Sequence, residues 1–144
     1  VDIYALKVLD AGGSGSWSYS ISALQWAVDH GLPVVNLSLG SSSDPGTIVK
    51  TAFDNAAAAG VVIVASAGNS GNPKGKGDNV GYPARWGSVI AVASTDSNDR
   101  RSSFSSTGSA VELAAPGRSI LSACIGGNFC TKIKITTTIS FSPI

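Results

Sequence analysis

The chain has 144 residues, of which ten are Lys or Arg and nine are Asp or Glu, for a net charge of +1. That length suits one domain and is short for two. Its 43% of apolar residues can form a core, which excludes wholesale disorder. The balanced charge argues against a dedicated nucleic-acid binder. With no apolar run of membrane-spanning length, no transmembrane helix is expected. The sequence contains no methionine and no charged-then-apolar leader at its start, so it reads as a processed product or an excerpt of a longer chain. The two cysteines, Cys124 and Cys130, do not have zinc-site spacing and fit free thiols or one local disulfide.

In chain order, residues 3–9 form a short apolar run with strand character. A glycine-serine loop follows over 11–18. Ile21, Leu24 and Val28 then mark one face of a helix over about 20–30, with Ser18 or Ser20 as cap and Gly31 and Pro33 as stop. Residues 33–39 read as a buried strand. A second helix begins with Asp44 as N-cap and Pro45 in its first turn. Its apolar stripe is Ile48, Val49, Ala52, Phe53 and Ala56, and Gly60 ends it. The most apolar run, 61–67, is expected to be a central strand. A polar loop from Gly68 to about Gly87 leads to a strand over 88–95. Beyond a polar stretch at 96–109, weaker apolar runs occupy 111–117 and 119–123.

This β-α-β-α-β order predicts an α/β fold with a largely parallel sheet covered by helices. Ligands of such sheets sit at the C-terminal ends of the strands. The loops to watch are therefore those after residues 9, 39 and 67, all built of small residues. Gly13-Ser14-Gly15-Ser16-Trp17-Ser18 imitates a dinucleotide loop but lacks the final glycine, and the second strand ends without a carboxylate. Gly75-Lys76 is followed by Gly77, not by the Ser or Thr a phosphate loop needs. A serine nucleophile needs a base. The single histidine, His30, lies at a helix end on the side away from these loops. Asn36-Leu37-Ser38 matches a glycosylation sequon but falls in a buried strand. Asn69 follows the most apolar strand between small residues. Its amide can donate to developing negative charge on a substrate oxygen, or the residue can simply serve a left-handed turn.

Read together, LKVLDAGGSGSWS, VVNLSLG, VVIVASAGNSG, VGYPARWGSVIAVASTDSNDRRSSFSSTG and APGRSILS resemble, in this order, the middle of a subtilisin-type serine protease. The resemblance covers about residues 1–123. It implies a three-layer α/β/α fold with a largely parallel sheet, here incomplete, and peptide-bond hydrolysis through an acyl-enzyme formed by an aspartate, a histidine and a serine. By position, Asn69 matches the oxyanion-hole asparagine. Ser38, Leu39 and Gly40 match one wall of the pocket for the residue before the scissile bond, and Ser66, Ala67 and Gly68 match the other. Gly13, Ser14 and Gly15 match the edge that pairs with an extended substrate, where small residues leave main-chain groups accessible. Trp17 falls at the aromatic rim of an outer subsite, and Tyr82-Pro83 matches a bond that is typically cis.

The same resemblance places the family's aspartate and histidine motifs upstream of Val1. It puts the nucleophile motif after APGRSILS, where the chain instead reads CIGGNFCTKIKITTTISFSPI. Ser140, Ser142 and Pro143 echo that motif without its Gly-Thr and Met, and neither serine takes the nucleophile's role. The division expected is therefore 1–128 for the peptidase part and 129–144 for a non-matching tail, suggestive of a frameshift. Within that tail, residues 130–141 alternate Lys and Thr with Ile, as a strand prone to pairing does. The expectation is a fragment with oxyanion donor and cleft but no triad, inactive alone and left with exposed apolar faces. The alternative is a catalytically dead peptide-binding or scaffold module. No metal ligand is assigned, although calcium belongs to the family. The expected partner is a polypeptide, with no nucleic acid or membrane; the complete protein is expected to be monomeric and secreted.

Overall fold

The computed structural model describes residues 2–123, 127–134 and 141–142. Strand β1 (Gly15–Ser16) runs directly into helix α1 (Trp17–Asp29). Strand β2 (Val34–Leu37), helix α2 (Thr47–Ala58), β3 (Val62–Ser66), β4 (Ile90–Thr95) and β5 (Val111–Pro116) complete the main unit. Strands β2 to β5 form one parallel sheet in sequence order. Two further strands, β6 (Arg118–Ala123) and β7 (Phe129–Lys134), make an antiparallel pair. The two-residue β8 (Phe141–Ser142) runs parallel to β1.

The helices stop where the glycines dictate. Gly31 and Gly60 both take left-handed φ values, 63° and 97°. The Gly31 N–H donates to Val28 and the Leu32 N–H to Ala27; Gly60 and Val61 repeat this with Ala57 and Ala56. This double closure satisfies the last helical carbonyls and needs a residue without Cβ at its centre. The starts differ from expectation. Helix α1 begins at Trp17, earlier than the serines at 18 and 20, because Ser16 is the cap and its hydroxyl accepts from the Ser18 N–H. Helix α2 begins later, at Thr47. The Asp44 carboxylate takes the Gly46 N–H at 2.8 Å, closing a turn around Pro45, and Gly46 becomes the cap with φ 90°.

Residues 3–9 do not form a strand. Ile3 and Tyr4 are exposed, and no described strand lies alongside to satisfy their backbone groups. Only Val8 and Leu9 reach the core. That core joins Leu24 of α1 and Val49, Phe53 and Ala56 of α2 to Leu37, Ile63, Ala65 and Ala91 of the sheet. Ile48, placed in the α2 stripe by periodicity, is instead 76% exposed. Among the described residues both helices thus cover the same sheet face. The alternate residues Val34, Val62 and Leu113 are exposed on the other, which neither helix among the described residues covers.

Candidate active site

The parallel register sets the site. Leu37 lies opposite Ala65 and Ser66 opposite Val92, so β2 and β3 end side by side. The chain beyond each tip then meets a third segment, Gly81-Tyr82. Ser41 and Tyr82 exchange two backbone hydrogen bonds, of 2.9 and 2.8 Å, and the Gly81 N–H donates to Ala67 at 3.0 Å. At Gly40 and Gly81 these backbones approach so closely that a side chain is excluded. A Cβ on Gly40 would stand 2.5 Å from the Tyr82 carbonyl oxygen, and one on Gly81 would stand 2.9 Å from that of Ser41. Glycine at these two positions is therefore required by packing.

The resulting cleft is lined by Gly40, Ser41, Ser42, Ser66, Gly68, Asn69, Ser70, Gly81 and Tyr82. None of these is an Asp, Glu, Lys or Arg. Negative charge developing in the cleft would meet hydroxyls and amides and no opposing carboxylate, the arrangement that favours an oxyanion. The far wall is held from behind by Arg85. Its guanidinium pairs with Asp78 at 2.9 Å, donates to the Val80 carbonyl and lies over the Tyr82 ring. The Tyr82-Pro83 bond is cis.

The structure brings Gly40, Ser66, Gly68 and Asn69 to this one cleft. Leu39 and Ala67 point into the core. Ser38 lies on the open face of the sheet, in a broader groove with Val64, Val92 and Leu113. Gly13 and Ser14 belong to a separate turn that Asp10 closes, its carboxylate accepting from the N–H groups of Gly12 and Ser14, each at 2.9 Å, and Gly15 begins β1. Trp17 is only 4% exposed. Its ring packs on Phe53 and Trp86, each at 6.4 Å, beneath the surface instead of at a rim. Sequence reasoning missed Ser41, Ser42, Ser70, Gly81 and Tyr82. The cis-proline segment was the available signal for the last two.

The remaining motif residues lie elsewhere. His30 caps α1, with Nδ1 2.8 Å from the Trp26 carbonyl oxygen and its ring stacked on that indole. Cys130 is disulfide-bonded, while Cys124, Ser140 and Pro143 lie outside the described residues. Among the described residues no group of three or more His, Cys, Asp or Glu side chains could hold a metal ion. No described helix is long and apolar enough to cross a membrane.

A neutral cleft at the C-terminal tips of a parallel sheet, lined by glycines and serines, is where an α/β protein of this kind carries its ligand site. The model of the subtilase family matches residues 1–141, and the chain belongs to that family. It is 50% identical over 122 residues to subtilisin DY of Bacillus licheniformis, covering 85% of this chain and 44% of that protein. It is 45% identical to subtilisin amylosacchariticus of Bacillus subtilis subsp. amylosacchariticus, covering 88% of this chain and 33% of that one. The chain thus spans less than half the length of these relatives. Among solved structures, a cold-adapted subtilisin-like serine proteinase superposes with a TM-score of 0.78 at 38% identity, over 90% of this chain and 46% of that one. The maturation protease PagA gives 0.74 at 26% identity, over 85% and 45%. The fold is accordingly the three-layer α/β/α class with a largely parallel sheet.

Proposed function

We propose that this chain is the central part of a subtilisin-like serine endopeptidase, carrying the oxyanion donor and much of the substrate cleft but none of the catalytic triad. The observation that carries this reading is the position of Asn69, which lines the same cleft as the tips of β2 and β3. In the acyl-transfer reaction a serine attacks the scissile carbonyl and its oxygen becomes anionic. The Asn69 amide donates to that oxygen in the transition state. Gly40, Ser66 and Gly68 form the walls around the residue before the scissile bond. Gly13, Ser14 and Gly15 offer main-chain groups to the extended polypeptide. A polypeptide substrate and export of the complete protein go with this reading.

The chain alone is expected to give no turnover of a chromogenic peptide, and turnover sensitive to a serine-directed inhibitor would refute that. The donor role is tested by titrating the ¹⁵N-labelled 144-residue chain with a tetrapeptide ending in a free carboxylate, whose oxygen stands in for the oxyanion. The Asn69 side-chain amide signals should shift with this peptide and not with its C-terminal amide. Equal response to both, or to neither, counts against the role.

A further inference from the structure

We propose that Ser106 is a positioning residue that holds the Asn69 amide on its target. This proposal rests on the reading of Asn69 as the oxyanion donor. Asn69 stands in a loop just past β3, where no ladder holds it. The two peptide units on either side of it are both bound by Ser106. The Ser106 N–H donates to the Gly68 carbonyl at 3.0 Å, and the Ser106 hydroxyl accepts from the Ser70 N–H at 3.1 Å. One residue, 1% exposed, thus fixes the loop immediately before and after the donor. Ser106 is not among the residues lining the cleft, so it acts through Asn69.

The clamp is itself anchored. Ser105 accepts from the Ser94 N–H through its hydroxyl at 2.9 Å, and the Ser94 and Ser102 hydroxyls meet at 2.8 Å. This ties the clamp to β4, in the middle of the sheet. Farther along the loop, the Gly71 N–H donates to the Phe104 carbonyl at 2.9 Å. A Cβ on Gly71 would collide with the Ser105 carbonyl oxygen, so the two segments lie in direct backbone contact. Gly68 has φ 105°, and a Cβ there would stand 3.1 Å from the Ser106 Oγ. The left-handed glycine and the serine thus fit each other closely.

An oxyanion donor helps only if its geometry is fixed before charge develops. Loop residues without such support sample several side-chain rotamers. Burying the Ser106 hydroxyl against a main-chain N–H has a further consequence: without it, the Ser70 N–H loses its acceptor.

The test uses the 144-residue chain and the carboxylate tetrapeptide. In the unsubstituted chain, the Ser70 amide should exchange slowly with solvent; exchange at the rate of an open loop overturns the proposal without any variant. Ser106→Ala and the near-isosteric, weaker acceptor Ser106→Cys should lose the peptide-induced shift of the Asn69 side-chain amide while keeping the parent's tryptophan emission. Ser106→Thr, which keeps the hydroxyl, should restore it. If a Ser106→Ala or Ser106→Cys chain with parent-like emission shows the full shift, the proposal is wrong. If the parent itself shows no shift, the reading of Asn69 fails instead.

Discussion

Replacing Gly40 by alanine should open the cleft from its wall. The new Cβ would lie 2.5 Å from the Tyr82 carbonyl oxygen, about 1 Å short of ordinary contact. The obstacle is backbone, so no side-chain rotamer relieves it. The Gly40 and Tyr82 segments must part, and the reciprocal Ser41–Tyr82 hydrogen bonds, at 2.9 and 2.8 Å, stretch out of range. Two net backbone bonds at about 0.5–1.5 kcal/mol each give a loss of about 1–3 kcal/mol. Alanine restricts the unfolded chain and returns about 0.4–1 kcal/mol, as it also does at Gly87, so Gly40→Ala should be about 1–3 kcal/mol less stable than Gly87→Ala. Urea unfolding followed by tryptophan emission measures this, since Trp17 and Trp86 are both in the core. Gly87 is the control: it has no left-handed φ and nothing within 4 Å of its Cβ position. Gly87→Ala should be neutral or slightly stabilising. Equal stability of Gly40→Ala and Gly87→Ala would refute the close-approach reasoning.

Phe53 is fully buried and packs edge-on against Trp86 at 5.1 Å and Trp17 at 6.4 Å; Phe53→Ala should cost about 3–5 kcal/mol in the same unfolding assay. The Arg101 guanidinium donates to the carbonyls of Ser102, Ser105 and Asn72, at 2.9, 2.7 and 2.6 Å. Arg101→Ala should therefore lower stability by about 2 kcal/mol or more, as expected for charged hydrogen bonds, and Arg101→Lys should not rescue it, because one ammonium cannot reproduce the planar fork. The Asp96 carboxylate accepts from the N–H groups of Asn98 and Arg100, and these bonds hold its pKa below the ordinary carboxylate value. A depressed folded pKa stabilises the 96–100 turn above the unfolded value, and that contribution fades as pH falls through the folded one, below about 4. Carboxyl NMR titration checks this; Asp96 titrating at or above the ordinary value would contradict it.

Local signals in the sequence identified the central elements. The apolar runs marked β2, β3 and β4, and Gly31 and Gly60 marked both helix ends, because strand burial and helix closure depend on neighbouring residues. The starts of both helices were misplaced for a related reason. Ser16, Ser18 and Ser20 are equally good caps by type, and only the backbone conformation selects one. The 3–9 run fails as a strand because pairing depends on a partner and not on propensity. The site was half legible. The resemblance indicated Asn69 and the glycines, yet it could not show that Trp17 is buried or that Ser38 lies on the open sheet face. Ser106 was invisible to local reading, since its hydroxyl meets the loop past β3 across 36 residues, whereas Gly81 and Tyr82 were signalled by the Tyr82-Pro83 segment alone.

In the proposed function Asn69 stabilises the transition state. A direct measurement places residues 1–123 in the matching stretch of a complete relative such as subtilisin DY and compares peptide hydrolysis with and without Asn69→Ala. The predicted result is a fall in kcat of about 10²–10³ with KM little changed, a magnitude carried over from loss of the corresponding donor in subtilisin. An active chimera whose kcat is the same in both forms would contradict it.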